Sequence, residues 1–362
     1  MQRSIRYAIL VATMLAASGG AGRAQGQTIS PYVIQKISLP GSALNYGEGI
    51  NNSGVAVGGV DAGGALSTIF LSAAIFANGQ VSGPGILVGY TGSYDYAIND
   101  MGQSVGWAIK LLGLYPGPTQ VHAVLFVHDS AQDLGVLVRT GNSTAYAINH
   151  WGVAVGSADT VDSSHATQFT FATHSVKDLG ILPGDRSSVA YGINAYGLIV
   201  GSSIDTNGIE RAVSFAPGPV AQLGALPGDF YSEARGVNDQ GQAVGYSSSL
   251  RGPNHAVMFS GGTVTDLGVY PGGKQSFAAA INNFGQAVGS GDIDGGFYHA
   301  LLFQNGQVLD LGILPGGQGS SASGINDQGD IVGTADDGQG VWAVKWTLAH
   351  HSIGPVRTLA AQ

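Results

Sequence analysis

The chain has 362 residues, 59 of them Gly, with only 10% charged residues and a formal net charge of −9. That much glycine excludes a helical bundle, 44% hydrophobic residues exclude a disordered chain, and 14 Lys and Arg leave no cationic footprint for nucleic acid. Cysteine is absent, so the fold rests on a core, which a chain of this length can bury without disulfides.

Residues 1–24 read as a secretory signal. Arg3 and Arg6 precede an apolar run from Tyr7 to about Ala17, and small residues lead to Gly22-Arg23-Ala24. The run is too short to span a bilayer, and cleavage after Ala24 is expected. Loss of this segment, with its three arginines and no acid, leaves a charge of −12. No later apolar stretch approaches membrane length, so residues 25–362 are expected to form one secreted or periplasmic domain, monomeric, with neither membrane nor nucleic acid as partner.

Val33 to Pro40 resembles a lone outer strand that could complete a last repeat, a role for which Ile353 to Leu359 competes. Between them one unit recurs seven times. An Ile or Val (Ile50, Ile98, Ile148, Ile193, Val237, Ile281, Ile325) is followed by Asn, then by Gly three residues after the Asn, then by a closing Val-Gly. The units are 44 to 50 residues apart, the length of four strands with their turns. Asn-x-x-Gly joins the first two strands, because Gly supplies positive φ and Asn caps the turn. A third strand reads His-Ala-x-x-Phe, as in His122 to Phe126 and His299 to Phe303. A fourth ends in Asp-Leu-Gly and runs through Leu-Pro-Gly into a long crossover. Gly or Ala flanks the residue two before the Ile/Val, as a crowded innermost strand requires. The expected fold is an all-β, seven-bladed β-propeller of four-stranded antiparallel blades, with an open β-solenoid as the alternative.

These motifs recur in one order over nearly all the chain from about residue 33, and the set resembles the HAF family of bacterial extracellular repeats. The resemblance implies an exported repeat protein and carries no activity, ligand or catalytic residue. Ser72 and Trp342 replace the His in the first and last copies, which implies blades adapted to an edge.

Residues present in every blade are explained by the blade, including the seven Asn and the Asp-Leu-Gly acids. The recurring His cannot share a metal, because copies on successive blades stand too far apart. Function is expected where single blades depart from the repeat, on the face carrying the crossovers and the second-to-third loops. Glu48 and Arg235 stand two before the Ile/Val, Glu233 four before, and Asp95 three before, all on innermost strands. Charges near a narrow channel are paired or used. They are the catalytic candidates of a polymer-cleaving enzyme, against the reading that a Glu–Arg pair merely tightens the mouth.

Ligand-binding candidates on the crossovers and nearby loops are Tyr90, Tyr94, Tyr96, Tyr115, Arg139, Arg186, Asp229, Phe230, Tyr231 and Lys274. Tyr115 belongs to an apolar insert at 110–118, which makes blade two's second-to-third loop the longest of the seven. No cofactor is expected beyond structural Ca²⁺, for which Asp205 and Asn207, and Asp292 and Asp294, resemble the opening of a calcium loop without its closing Glu. Lacking a catalytic motif, the chain is expected to be a binding module for an extracellular polysaccharide or protein, with a propeller hydrolase or lyase as the alternative.

Overall fold

The computed structural model describes residues 31–349, apart from 39, 40, 43, 62–70, 114–116 and 295. The expected signal, Tyr115 and the Ile353 to Leu359 segment lie outside the described residues. No described helix is long and apolar enough to cross a membrane.

The strands assemble into seven four-stranded antiparallel sheets, a seven-bladed β-propeller. Blade five is representative: Tyr231–Val237 lies innermost, followed outward by Ala243–Ser248, Asn254–Ser260 and Thr263–Gly268. The first strand of each blade touches those of both neighbours, and Asn45–Ile50 of blade one touches Ser320–Ile325 of blade seven. This contact closes the ring and rules out the solenoid. Tyr32–Lys36 supplies the outermost strand of blade seven, paired with Val341–Leu348.

The repeat signature has a physical reason at each position. In all seven blades the first strand carries an irregularity at the residue two before the Ile/Val, which drops out of the ladder. Second and first strands approach so closely there that only glycine fits in Val-Gly. A Cβ on Gly245 would stand 1.8 Å from the Glu233 carbonyl oxygen, and the other six positions are equally tight. The preceding Val residues, such as Val57, Val155 and Val288, are fully buried between blades.

The seven Asn form a closed belt. Each Nδ2 donates to the carbonyl of the next Asn in the ring at 2.9–3.3 Å, and Asn326 to Asn51 completes it. Each Oδ1 accepts two N–H groups of its own turn, as Asn282 does from Phe284 and Gln286. The His and Asp of the outer strands pair within a blade: His122 with Asp133, His165 with Asp178, His255 with Asp266 and His299 with Asp310, at 2.6–2.9 Å. The Asp also accepts the N–H of the following Gly.

Candidate functional site

First strands run from the crossover face to the Asn face; the side chain two before the Ile/Val faces the axis, and the one four before packs against the preceding blade. Tyr96, Tyr146 and Tyr191 touch in series at 5.1 and 5.4 Å between ring centroids, and the Arg235 guanidinium lies 5.3 Å from the Tyr191 ring. Tyr94 sits against Tyr96, stacks on Trp107 and fills the space over Gly59, where a Cβ would meet its ring at 2.3 Å. An aromatic arc thus covers blades two to four, and a charged group occupies blade five.

That group is the Glu233 carboxyl on the Arg235 guanidinium, with Glu210 beside it. Arg235 Nε lies 2.5 Å from Glu233 Oε1, and the Glu233 side chain is 1% exposed. Glu210, at the start of blade four's third strand, hydrogen-bonds Glu233 and accepts from Ser202 Oγ at 2.7 Å. A bond between two carboxyls requires one to hold a proton. Burial pushes Glu233 up to about 8, opposed by the Arg235 charge and reinforced by Glu210. Glu48 of blade one accepts from the Tyr94 hydroxyl at 2.5 Å, and burial raises it to about 7 against the pull of Tyr94 and Arg235.

Both glutamates bind a proton more tightly in the folded chain than at the ordinary value of 4.5, so they favour folding at low pH. This stability is complete below about pH 4.5 and is lost as pH rises through 7 and 8. Urea midpoints are expected to fall between pH 5 and 8.5, and Glu48→Gln with Glu233→Gln to flatten the fall. An unaltered slope in the double variant would contradict the assignment.

The structure brings Glu48, Arg235 and Tyr96 to the channel, seats Glu233 and Tyr94 between blades beside them, and takes Asp95 elsewhere. Asp95 is fully buried within blade two, accepts from Ser104 Oγ at 2.5 Å, and burial holds it well above the usual carboxylate range. Tyr90 packs beneath blade two's extended hairpin, against His122 and under Lys110. Asp229 accepts from Ser247 Oγ, and Tyr231 is half-buried. Arg139, Arg186, Phe230 and Lys274 are exposed on the crossover face.

The loop acids are engaged in turns. Asp205 accepts from Asn207, Ile209 and Arg211, while Asp292 accepts the N–H groups of Lys274 and Gln275. Among the described residues no three acidic or histidine side chains group as a metal site. Sequence reasoning missed Glu210, although it is the sole acid immediately before a third-strand motif.

No family model matches the chain, and no curated protein resembles it in sequence. Solved propellers resemble it in shape. The β-propeller domain of the Trilobed protease from Pyrococcus furiosus aligns with a TM-score of 0.54 at 10% identity, over 84% of this chain and 95% of that one. Oligogalacturonate lyase from Vibrio parahaemolyticus aligns at 0.54 and 10%, over 90% and 96%. A puromycin-hydrolyzing peptidase from Mycobacterium tuberculosis aligns at 0.54 and 8%, over 80% of this chain, which spans 49% of that one. At such identities the likeness is one of fold.

Proposed function

We propose that this chain is an exported binding module that presents its crossover face to an extracellular polysaccharide or protein. One observation carries the reading. Arg186, Phe230 and Lys274 occupy the same repeat position, seven before the Ile/Val, on consecutive blades four, five and six, and all three are exposed. An aromatic face between two long cations on a rigid rim offers stacking and hydrogen bonds to one extended ligand. Exposed Val88, Val161 and Leu250 extend the same face, whereas the channel charges beneath are already paired. The signal-like residues 1–24 and the resemblance to HAF repeats support export.

Affinity electrophoresis in gels holding alginate, pectin, xylan or peptidoglycan fragments, together with cross-linking to secreted proteins, tests it. Binding is expected to weaken at least tenfold in R186A/F230A/K274A, about 1.4 kcal/mol or more. Unchanged retention of that variant refutes the crossover site.

The second reading, a polymer-cleaving enzyme, is favoured by Glu233, whose carboxyl is raised to about 8 by burial and the nearby Glu210, since such a carboxyl can act as general acid. Turnover of any of these polymers, lost in Glu233→Gln with folding intact, would support it. The propeller fold serves both readings and decides neither.

A further inference from the structure

The Asn face carries a second set of exposed side chains that the fold does not require. The residue two after each belt Asn is Ser53, Met101, Trp151, Tyr196, Gln240, Phe284 or Gln328. A turn tip in water is served by Ser or Gln, yet four blades place large apolar groups there. Met101 is 61% exposed, Trp151 73%, Tyr196 80% and Phe284 74%. Three of them fall on consecutive blades two, three and four.

The turns that carry them are held in place. Each of the four residues donates its N–H to the Oδ1 of its belt Asn at 3.0 Å. Trp151 is pinned further: its indole Nε1 donates to the Ala195 carbonyl of the next blade at 3.0 Å, and His150 packs edge-on at 5.3 Å. The outer belt explains why this happens here. In other blades the residue after the Asn is an Asp or Asn that caps its neighbour, as Asp100 caps Asn52 and Asp327 caps Asn283. Blades three and four carry His150 and Ala195 instead, and the Trp151 indole bridges that gap. The result is a flat ring with its polar edge satisfied, its orientation fixed and its face in water.

We infer that the Asn face is a glycan-binding surface, which takes an uncharged or amino-substituted polysaccharide across Met101, Trp151 and Tyr196. The apolar faces of pyranose rings stack on fixed aromatic faces, and rigid platforms bind at low entropic cost. The apolar groups are interrupted by polar ones and by a polar cavity of about 220 Å³ lined by the belt Asn, Asp100, Asp239 and Asp327. A continuous protein interface favours a water-excluded apolar centre, whereas alternating stacking faces and hydrogen-bond groups suit sugars. Charge selects among glycans. The seven turns present Asp100, Asp239, Asp327 and Asp330; Lys345 beside them is bonded to Asp330 at 2.7 Å, and the exposed Lys177 on blade three's outermost strand leaves the face acidic in sum. Asp129 lies on a neighbouring hairpin together with His128. Acid-bearing polymers are therefore repelled.

The surface is independent of the crossover rim, and the test separates the two. Intrinsic fluorescence and acrylamide quenching of the full chain are followed during titration with chitohexaose, cellohexaose and hexagalacturonate. Trp151 is the strongly exposed indole, since Trp346 is fully buried and Trp107 and Trp342 are half-buried. Chitohexaose or cellohexaose is expected to protect Trp151 from quencher, with hexagalacturonate silent. Affinity, read by calorimetry, is expected to fall at least tenfold in W151A and in Y196A and to persist in W151F. Urea midpoints within error of the unaltered chain would show that W151A and Y196A leave the fold intact. Failure of both uncharged hexamers to bind, a preference for hexagalacturonate, or full affinity in W151A and Y196A overturns the proposal.

Discussion

Deletion of residues 31–36 is expected to abolish cooperative folding. The strand Tyr32–Lys36 pairs along its length with Val344 to Leu348 and packs Tyr32 and Ile34 into the cluster around Leu302, Leu314, Val344 and the fully buried Trp346. Lys36 adds an ion pair with Asp337 at 2.5 Å and lies 4.2 Å from the Trp342 ring centre. Burial of two large side chains contributes about 4 kcal/mol, and the ladder bonds of five residues come on top. That sum approaches the whole stability of an ordinary domain. The truncated ring also bares Val341–Leu348 as an apolar edge, which invites association. Circular dichroism on heating and size-exclusion chromatography check this. A truncated chain that remains monomeric and melts within a few degrees of the parent would refute it.

Asn282→Ala is expected to cost about 3 kcal/mol, because three backbone partners lose their bonds at once. Asn282 is 4% exposed, accepts from Phe284 and Gln286, and donates to the Asn326 carbonyl. The neighbouring Asn283→Ala is the control. Asn283 joins the outer belt, where water can replace its partners, and about 1 kcal/mol or less is expected. Urea unfolding of both variants gives the comparison. Equal costs would mean that the inner belt does not hold the turns together.

The seven-fold repeat was legible because each signature residue answers a backbone demand that recurs in every blade. Glycine in Val-Gly answers a close approach, Asn answers unpaired turn groups, and small residues beside the irregularity answer crowding at the axis. Closure by Tyr32–Lys36 was visible as a strand without a partner, but its competitor could not be dismissed until the pairing with Val341–Leu348 was seen. The site was only partly legible. Glu48, Glu233 and Arg235 stood out against the repeat, yet Glu210 comes from the third strand of another blade, and such a meeting depends on the angle between blades. Asp95 stood out equally and points into its blade, because strand alternation turns the residue three before the Ile/Val to the opposite face from the one four before. Trp151 and Tyr196 sat inside a motif explained as scaffold, and that explanation hid what the turn tips present.

The Ala349 N–H donates to the Pro31 carbonyl at 2.7 Å, so both ends of the described ring leave from one point on its outer rim. A short linker there would make the chain circular, and the cut could move to any crossover without disturbing a blade. Attachment through either end holds the ring by its edge, like a wheel gripped at the tyre. Both faces then stay clear of the tether.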